Sequence, residues 1–227
     1  MSEFTDRVVL ITGAGRGLGR ALSLAFAGQG ARLALNDLTP VNLDVTLTEA
    51  RRLGAQAQEY LFDVARRMPV AGMIEQVLSD WGRIDILINN AAVHPRQPLL
   101  DMDDWDWQRT IDVDLSGPFF AMQMAGRAMR QQGGGVIVNI GAIFEDYGEW
   151  AGSAAFVAGK SGLLGLTRQA AAELAPYNIR VHALCLARVE VEQPEGAVEQ
   201  ALKLCSQVCA HLTGQVITLG SLDGSSK

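Results

Sequence analysis

The stretch Val8–Gly19, VVLITGAGRGLG, constrains the fold of this chain more than any other. Val8–Ile11 is a short β-branched apolar run bounded by glycine, the pattern of a strand buried on both faces. From Leu18 the spacing becomes helical, with Leu18, Ala21, Leu22, Ala25 and Phe26 on one stripe. Between the two lie Gly13, Gly15, Gly17 and Gly19. A strand that feeds a helix through such a turn aims free backbone N–H groups and the positive end of the helix dipole at one spot. Missing β-carbons let a pyrophosphate approach that backbone. A tight turn without a ligand can carry the same glycines, but the strand before and the helix after point to a dinucleotide site. Gly13, Arg16, Gly17, Leu18 and Gly19 are its candidate contacts.

Length and composition set limits around that turn. A chain of 227 residues suits one α/β domain, so residues 1–227 are expected to form a single unit. A net charge of −6 argues against a nucleic-acid or acidic-membrane surface. The start, MSEFTDR, carries acids and lacks the apolar core of a signal peptide, and no apolar run reaches the ~18 residues needed to span a bilayer. All three cysteines fall after residue 184, which gives no disulfide framework and suits a reducing cytoplasm. Cys205 and Cys209 are placed to share one helix face, most simply as packing residues.

Strand and helix patterns alternate along the rest of the chain. Arg32–Asn36 reads as the second strand, closing on Asp37. An acid about 20 residues past the glycine turn can accept both hydroxyls of an adenosine ribose. It would repel a 2′-phosphate, so Asp37 favours NAD over NADP, while Arg16 pulls weakly the other way; a solvated loop aspartate is the plainer alternative. Val41–Leu53 reads as a helix, Gln58–Phe62 as a strand ending in Asp63 and Val64, and Pro69–Trp81 as a helix. Ile84–Asn89 is a buried strand ending in Asn90, Ala91 and Ala92, where Asn90 can tie strand ends together. A long helix is predicted over Asp104–Arg130, then a strand at Gly135–Ile140, a helix at Ala154–Ala175 and a strand at Ile179–Cys185. Glu195–Ala210 reads as a helix and Gln215–Leu219 as a last short strand. Such alternation gives an α/β protein: a three-layer, Rossmann-like, doubly wound parallel sheet of about seven strands with helices on both faces.

TGAGRGLG, the Asp63-Val64 pair, NNAA, the segment FVAGKSGLLGLTRQAAAELA and HLTGQVI together resemble the short-chain dehydrogenase/reductase family, in order and over nearly the whole chain. The resemblance implies NAD(P)-dependent oxidoreductase chemistry on alcohols and ketones, and tetramers joined through the fourth and fifth long helices. It places Asp63, Val64, Asn90 and Ala91 with the turn and Asp37 as cofactor contacts, and Lys160 as both a cofactor contact and a catalytic residue.

At the family's catalytic positions this sequence departs. The proton-donating Tyr of the YxxxK motif is Phe156, with Lys160 retained; the hydroxyl-bearing Ser is matched by Ala142; the Asn that holds a relay water is matched by Asp114. The Pro-Gly after the sixth strand is Leu186-Ala187, the Thr that contacts nicotinamide is Val191, and the link that usually carries a substrate lid is short. Losing a general acid costs roughly 10²–10⁴-fold, and losing an oxyanion-type hydrogen bond roughly 10²–10³-fold. The expectation is a degenerate member with an NAD-type site, its binding weakened or lost, and no standard hydride transfer. Three roles remain open: a non-catalytic subunit in a homo- or hetero-oligomer, dimer or tetramer, with an active paralogue; an active oxidoreductase with its proton donor moved to Tyr147 or His94; or a nucleotide sensor. Lys160 fits the first and last as a ribose contact, or as a merely solvated lysine.

Overall fold

A computed structural model describes residues 2–144, 150–186 and 195–219. The strands are β1 (Val8–Thr12), β2 (Arg32–Asp37), β3 (Ala57–Leu61), β4 (Ile86–Asn89), β5 (Gly135–Ala142), β6 (Ile179–Leu186) and β7 (Val216–Leu219). They form one seven-stranded parallel sheet in the order β3-β2-β1-β4-β5-β6-β7. The helices are α1 (Gly17–Gly28), α2 (Pro40–Arg52), α3 (Arg67–Trp81), α4 (Asp104–Ile111), α5 (Gly117–Gln131), α6 (Ala154–Leu174) and α7 (Glu195–Cys205).

Every residue of β1 is buried because both of its faces are covered. Val9 and Ile11 point toward α1, α2 and α7, where Leu22, Phe26, Leu43, Leu47 and Ala201 complete one core. Val8 and Leu10 point the other way, toward Val70, Met73, Met122, Met129 and Ala171 of α3, α5 and α6. Met122 and Met129 are thus core residues. A polar ladder crosses this second core: Asn89 Nδ2 donates to Asn139 Oδ1 at 2.8 Å, and Asn139 Nδ2 to Thr167 Oγ1 at 2.9 Å. The strand order reverses between β1 and β4, which opens a crevice at their carboxyl ends. Among the described residues, no helix is long and apolar enough to cross a membrane.

Two predicted helices are interrupted. The span Asp104–Arg130 contains a π turn at Asp112–Ser116, with Gly117 and Pro118 starting α5. A β-carbon at Gly117 would lie 2.8 Å from the Val64 carbonyl oxygen, so glycine lets this turn approach the site. The last predicted helix, Glu195–Ala210, ends at Cys205 and continues as a 3₁₀ turn, Gln207–Cys209, started by Ser206 Oγ accepting the Val208 N–H. Arg180 of β6 holds that break, donating to the carbonyls of Leu204, Cys205, Ser206 and Cys209. Cys205 and Cys209 therefore do not share a helix face; both are buried.

Candidate functional site

The glycine turn is held from three sides. Ala14 N–H donates to the Asn36 carbonyl at 2.9 Å, and Gly15 N–H to Asp37 Oδ2 at 2.9 Å. Asn90 Nδ2 donates to the carbonyls of Thr12 and Gly13, and the Asn90 and Ala91 N–H groups donate to Thr12 Oγ1. Asn90 thus ties β4 to the turn, as its position suggested. From α1, Arg20 donates to the carbonyls of Gly15 (2.7 Å) and Asn42 and to Thr46 Oγ1, while Thr46 Oγ1 donates to the Ala14 carbonyl. Arg20 and Thr46 were not among the sequence candidates, because their partners lie on another helix or are carbonyls without a side-chain signature.

The resulting cleft has a volume of about 500 Å³. Gly13, Arg16, Gly17, Leu18, Asp37, Asp63, Val64, Asn90, Ala91, Phe156 and Lys160 all line it, whereas Gly19, Ala142 and Asp114 are not among its lining residues. A β-carbon at Gly17 would meet nothing within 4 Å, so the turn is open there, and the start of α1 has no side-chain cap. Uncapped N–H groups at a helix start suit a phosphate. At one end Asp37 is fixed by two backbone donors, Gly15 N–H on Oδ2 and Leu38 N–H on Oδ1, which leaves acceptor capacity on both oxygens. These residues fit the adenosine and pyrophosphate parts of a dinucleotide. Arg16 is exposed at the mouth.

Asp63 is paired with Arg109 of α4, whose Nη1 reaches Oδ2 at 2.8 Å and Oδ1 at 3.1 Å; Ala65 N–H donates to Oδ1. Burial pushes this carboxyl up, but the Arg109 and Ala65 hydrogen bonds carry it below the ordinary value. Arg109 also lines the cleft, a neighbour that no local pattern reveals.

The inner end of the cleft is where the catalytic candidates meet. Phe156 is 2% exposed and stacks on His94, with ring centroids 4.2 Å apart, and on Trp150 at 6.0 Å. Phe144 meets both Trp150 and Phe156 edge-on. His94 Nε2 and Ser153 Oγ are 2.8 Å apart, with the imidazole behind Phe156 rather than in the cleft wall. Lys160 is not a solvated lysine: it is 3% exposed, and its Nζ donates to the Ile140 carbonyl at 3.0 Å. Its ammonium lies 5.7 Å from the Phe156 ring centre. Ala142, the last residue of β5, is buried and has no hydroxyl. Asp114 is fully buried in the π turn, and burial, opposed by Lys160 and the Val93 N–H, pushes its carboxyl up to about 6. At this end the described lining side chains are Ile140, Phe156, Lys160 and Leu186, so Lys160 alone carries a proton. Tyr147, Ala187 and Val191 lie outside the described residues.

Residues 7–202 match the family model described as short chain dehydrogenase. The 3-oxoacyl-[acyl-carrier-protein] reductase FabG of Thermotoga maritima is 35% identical, over 93% of this chain and 95% of that reductase. The (2S)-[(R)-hydroxy(phenyl)methyl]succinyl-CoA dehydrogenase subunit BbsD of Thauera aromatica is 34% identical, over 83% of this chain and 75% of that subunit. A metagenomic short-chain oxidoreductase solved in complex with NADP superposes with a TM-score of 0.89 at 29% identity, covering 98% of this chain and 100% of that one.

Proposed function

The chain belongs to the short chain dehydrogenase family, and from that premise we propose that it binds an NAD-type dinucleotide but no longer performs the family's Ser–Tyr–Lys hydride transfer. The observation that carries this reading is Phe156: the side chain at the donor position has no proton to give and is locked in an aromatic stack. Hydride transfer to a ketone leaves an alkoxide that must be protonated as it forms, and a phenol does this only when a neighbouring ammonium lowers its pKa. Lys160 is in place, but the phenol and the Ala142 hydroxyl are not. When bound, the nicotinamide would supply or accept a hydride. The chain's own groups would hold the ribose at Asp37 and the pyrophosphate at the turn, with Lys160 at the inner end. NAD rather than NADP follows from the carboxylate of Asp37, which repels a 2′-phosphate.

The same reading makes the chain a non-catalytic subunit that assembles with an intact family member. One of its relatives is itself named as a dehydrogenase subunit. Native mass spectrometry of the protein isolated from its own cells tests this. A complex of this chain with a second, Tyr-containing dehydrogenase chain is expected; a stable assembly of this chain alone would overturn the subunit role.

A second reading, an active enzyme with a relocated donor, rests on His94, whose ring stacks 4.2 Å from that of the cleft-lining Phe156 and whose Nε2 pairs with Ser153 Oγ. It requires wild-type turnover that is lost in His94→Gln.

A further inference from the structure

A charged residue stands directly behind the inner wall of the cleft. Asp114 Oδ1 accepts the Val93 N–H at 3.1 Å, and its Oδ2 is buried with no partner. Val93 and Lys160 both line the cleft, so Asp114 is one residue layer from whatever occupies it. The chain makes room for it: a β-carbon on Gly159 of α6 would lie 3.2 Å from Asp114 Cβ. A π turn inside a longer helix is rare and tends to occur where function requires a side chain to be re-aimed.

Among the described residues, few titratable groups surround this carboxyl. Helix α6 contributes Lys160, whose ammonium attracts it. The loop after β4 contributes His94, one residue past Val93 and tied to Ser153. Strand β6 contributes Cys185, whose thiol burial pushes up to about 11, leaving it neutral. Near and above neutrality the carboxylate is the one negative charge among them.

A dinucleotide with its first ribose at Asp37 and its pyrophosphate at the start of α1 would have its second base at the Lys160 end, because the cleft runs in that direction. An oxidised nicotinamide ring is a cation and a reduced ring is neutral. A fixed charge behind a low-dielectric wall separates the two. Lys160 opposes a cationic ring whether residue 114 is charged or not, so the increment due to Asp114 has a single sign.

We propose that Asp114 is a specificity-determining residue that biases the cleft toward the oxidised dinucleotide over the reduced one. The proposal rests on the dinucleotide reading above, and it involves no covalent step. Asp114→Asn keeps the size and the acceptor for Val93 N–H while removing the charge.

Calorimetric titration at pH 8 with NAD⁺, NADH and ADP-ribose, on wild type and Asp114→Asn, tests it. The preference for NAD⁺ over NADH is expected to fall about tenfold in the variant, as for one charge acting over roughly 10 Å at an effective dielectric near 20. ADP-ribose, which lacks the ring, is expected to change less than about twofold. A second measurement needs no variant: in wild type, NAD⁺ is expected to lose affinity relative to ADP-ribose between pH 8 and pH 5, as Asp114 takes up its proton. Binding of all three ligands with an unchanged NAD⁺/NADH ratio, or no pH effect on NAD⁺ relative to ADP-ribose, overturns the role of Asp114 alone. Failure of ADP-ribose to bind at any pH overturns the dinucleotide reading and this proposal with it.

Discussion

Gly19 shows how tightly single residues determine this site. A β-carbon there would collide with the Gly13 carbonyl oxygen and come within 2.6 Å of Asn90 Nδ2, the atom that ties β4 to the turn. Gly19→Ala is therefore expected to cost roughly 3 kcal/mol by overpacking and to displace Asn90. Gly17→Ala meets no atom, but at a φ of 53° it strains the backbone by only about 1–2 kcal/mol. Urea unfolding of the two variants checks the order: Gly19→Ala must have the lower midpoint. The glycines were legible in the sequence because each leaves a gap in a strand-turn-helix pattern. The Asp63–Arg109 pair was not, since its members are distant in the chain and nothing local ties Arg109 to Asp63. Nor was the burial of Lys160, because a lysine in an apolar helix reads equally as solvated until α6 is placed against β5.

At the scale of elements, the alternation of strand patterns and helical stripes set the seven strands in order; the central strand β1, covered on both faces, is apolar from Val8 to Ile11, whereas the edge strand β3, AQEYL, has three exposed residues. The interruptions were harder to read. The π turn at Asp112–Ser116 leaves no break in the hydrophobic pattern, and its one local signal is Gly117-Pro118, which suits a helix start better than a helix interior. The end of α7 is set from outside, by Arg180 on β6 drawing four carbonyls to itself. At the site, the departures at Phe156, Ala142 and Asp114 were visible in the sequence as substitutions. The stack that packs His94, Phe144 and Trp150 around Phe156 joins three separate segments, so only the fold reveals it.

For the whole molecule, two buried titrating groups oppose each other. His182 on β6 is fully buried with neither ring nitrogen partnered, and burial, aided by Arg180, pushes it down to about 4 from an ordinary 6.5. The unfolded chain takes up that proton first, so the stability due to His182 is present above about pH 6.5 and is lost as pH falls toward 4. Asp114, raised to about 6 from 3.8, holds its proton longer in the folded chain, so its contribution is present at low pH and is lost as pH rises through 6. Each contribution is on the order of 3 kcal/mol, and between about pH 4 and 6 they nearly cancel. Wild type is expected to show a flat urea midpoint over that interval. Asp114→Asn should lose stability toward acid, and His182→Met should lose it toward neutrality. Equal slopes in the two variants would contradict this assignment.

Across the glycine turn and the Asp37 end the chain keeps residues that suit a dinucleotide, while at the inner end Lys160 is the one described lining side chain that carries a proton, with no hydroxyl beside it. The most direct test of that division is NADH oxidation at 340 nm with a panel of aldehydes, ketones and β-keto thioesters, run on wild type and on Ala142→Ser/Phe156→Tyr. Wild type is expected to show no oxidation above buffer, although NADH binds, and the double variant measurable oxidation. Turnover by wild type at rates of about 1 s⁻¹ or more, in the ordinary range for enzymes, would contradict it and would direct attention to His94.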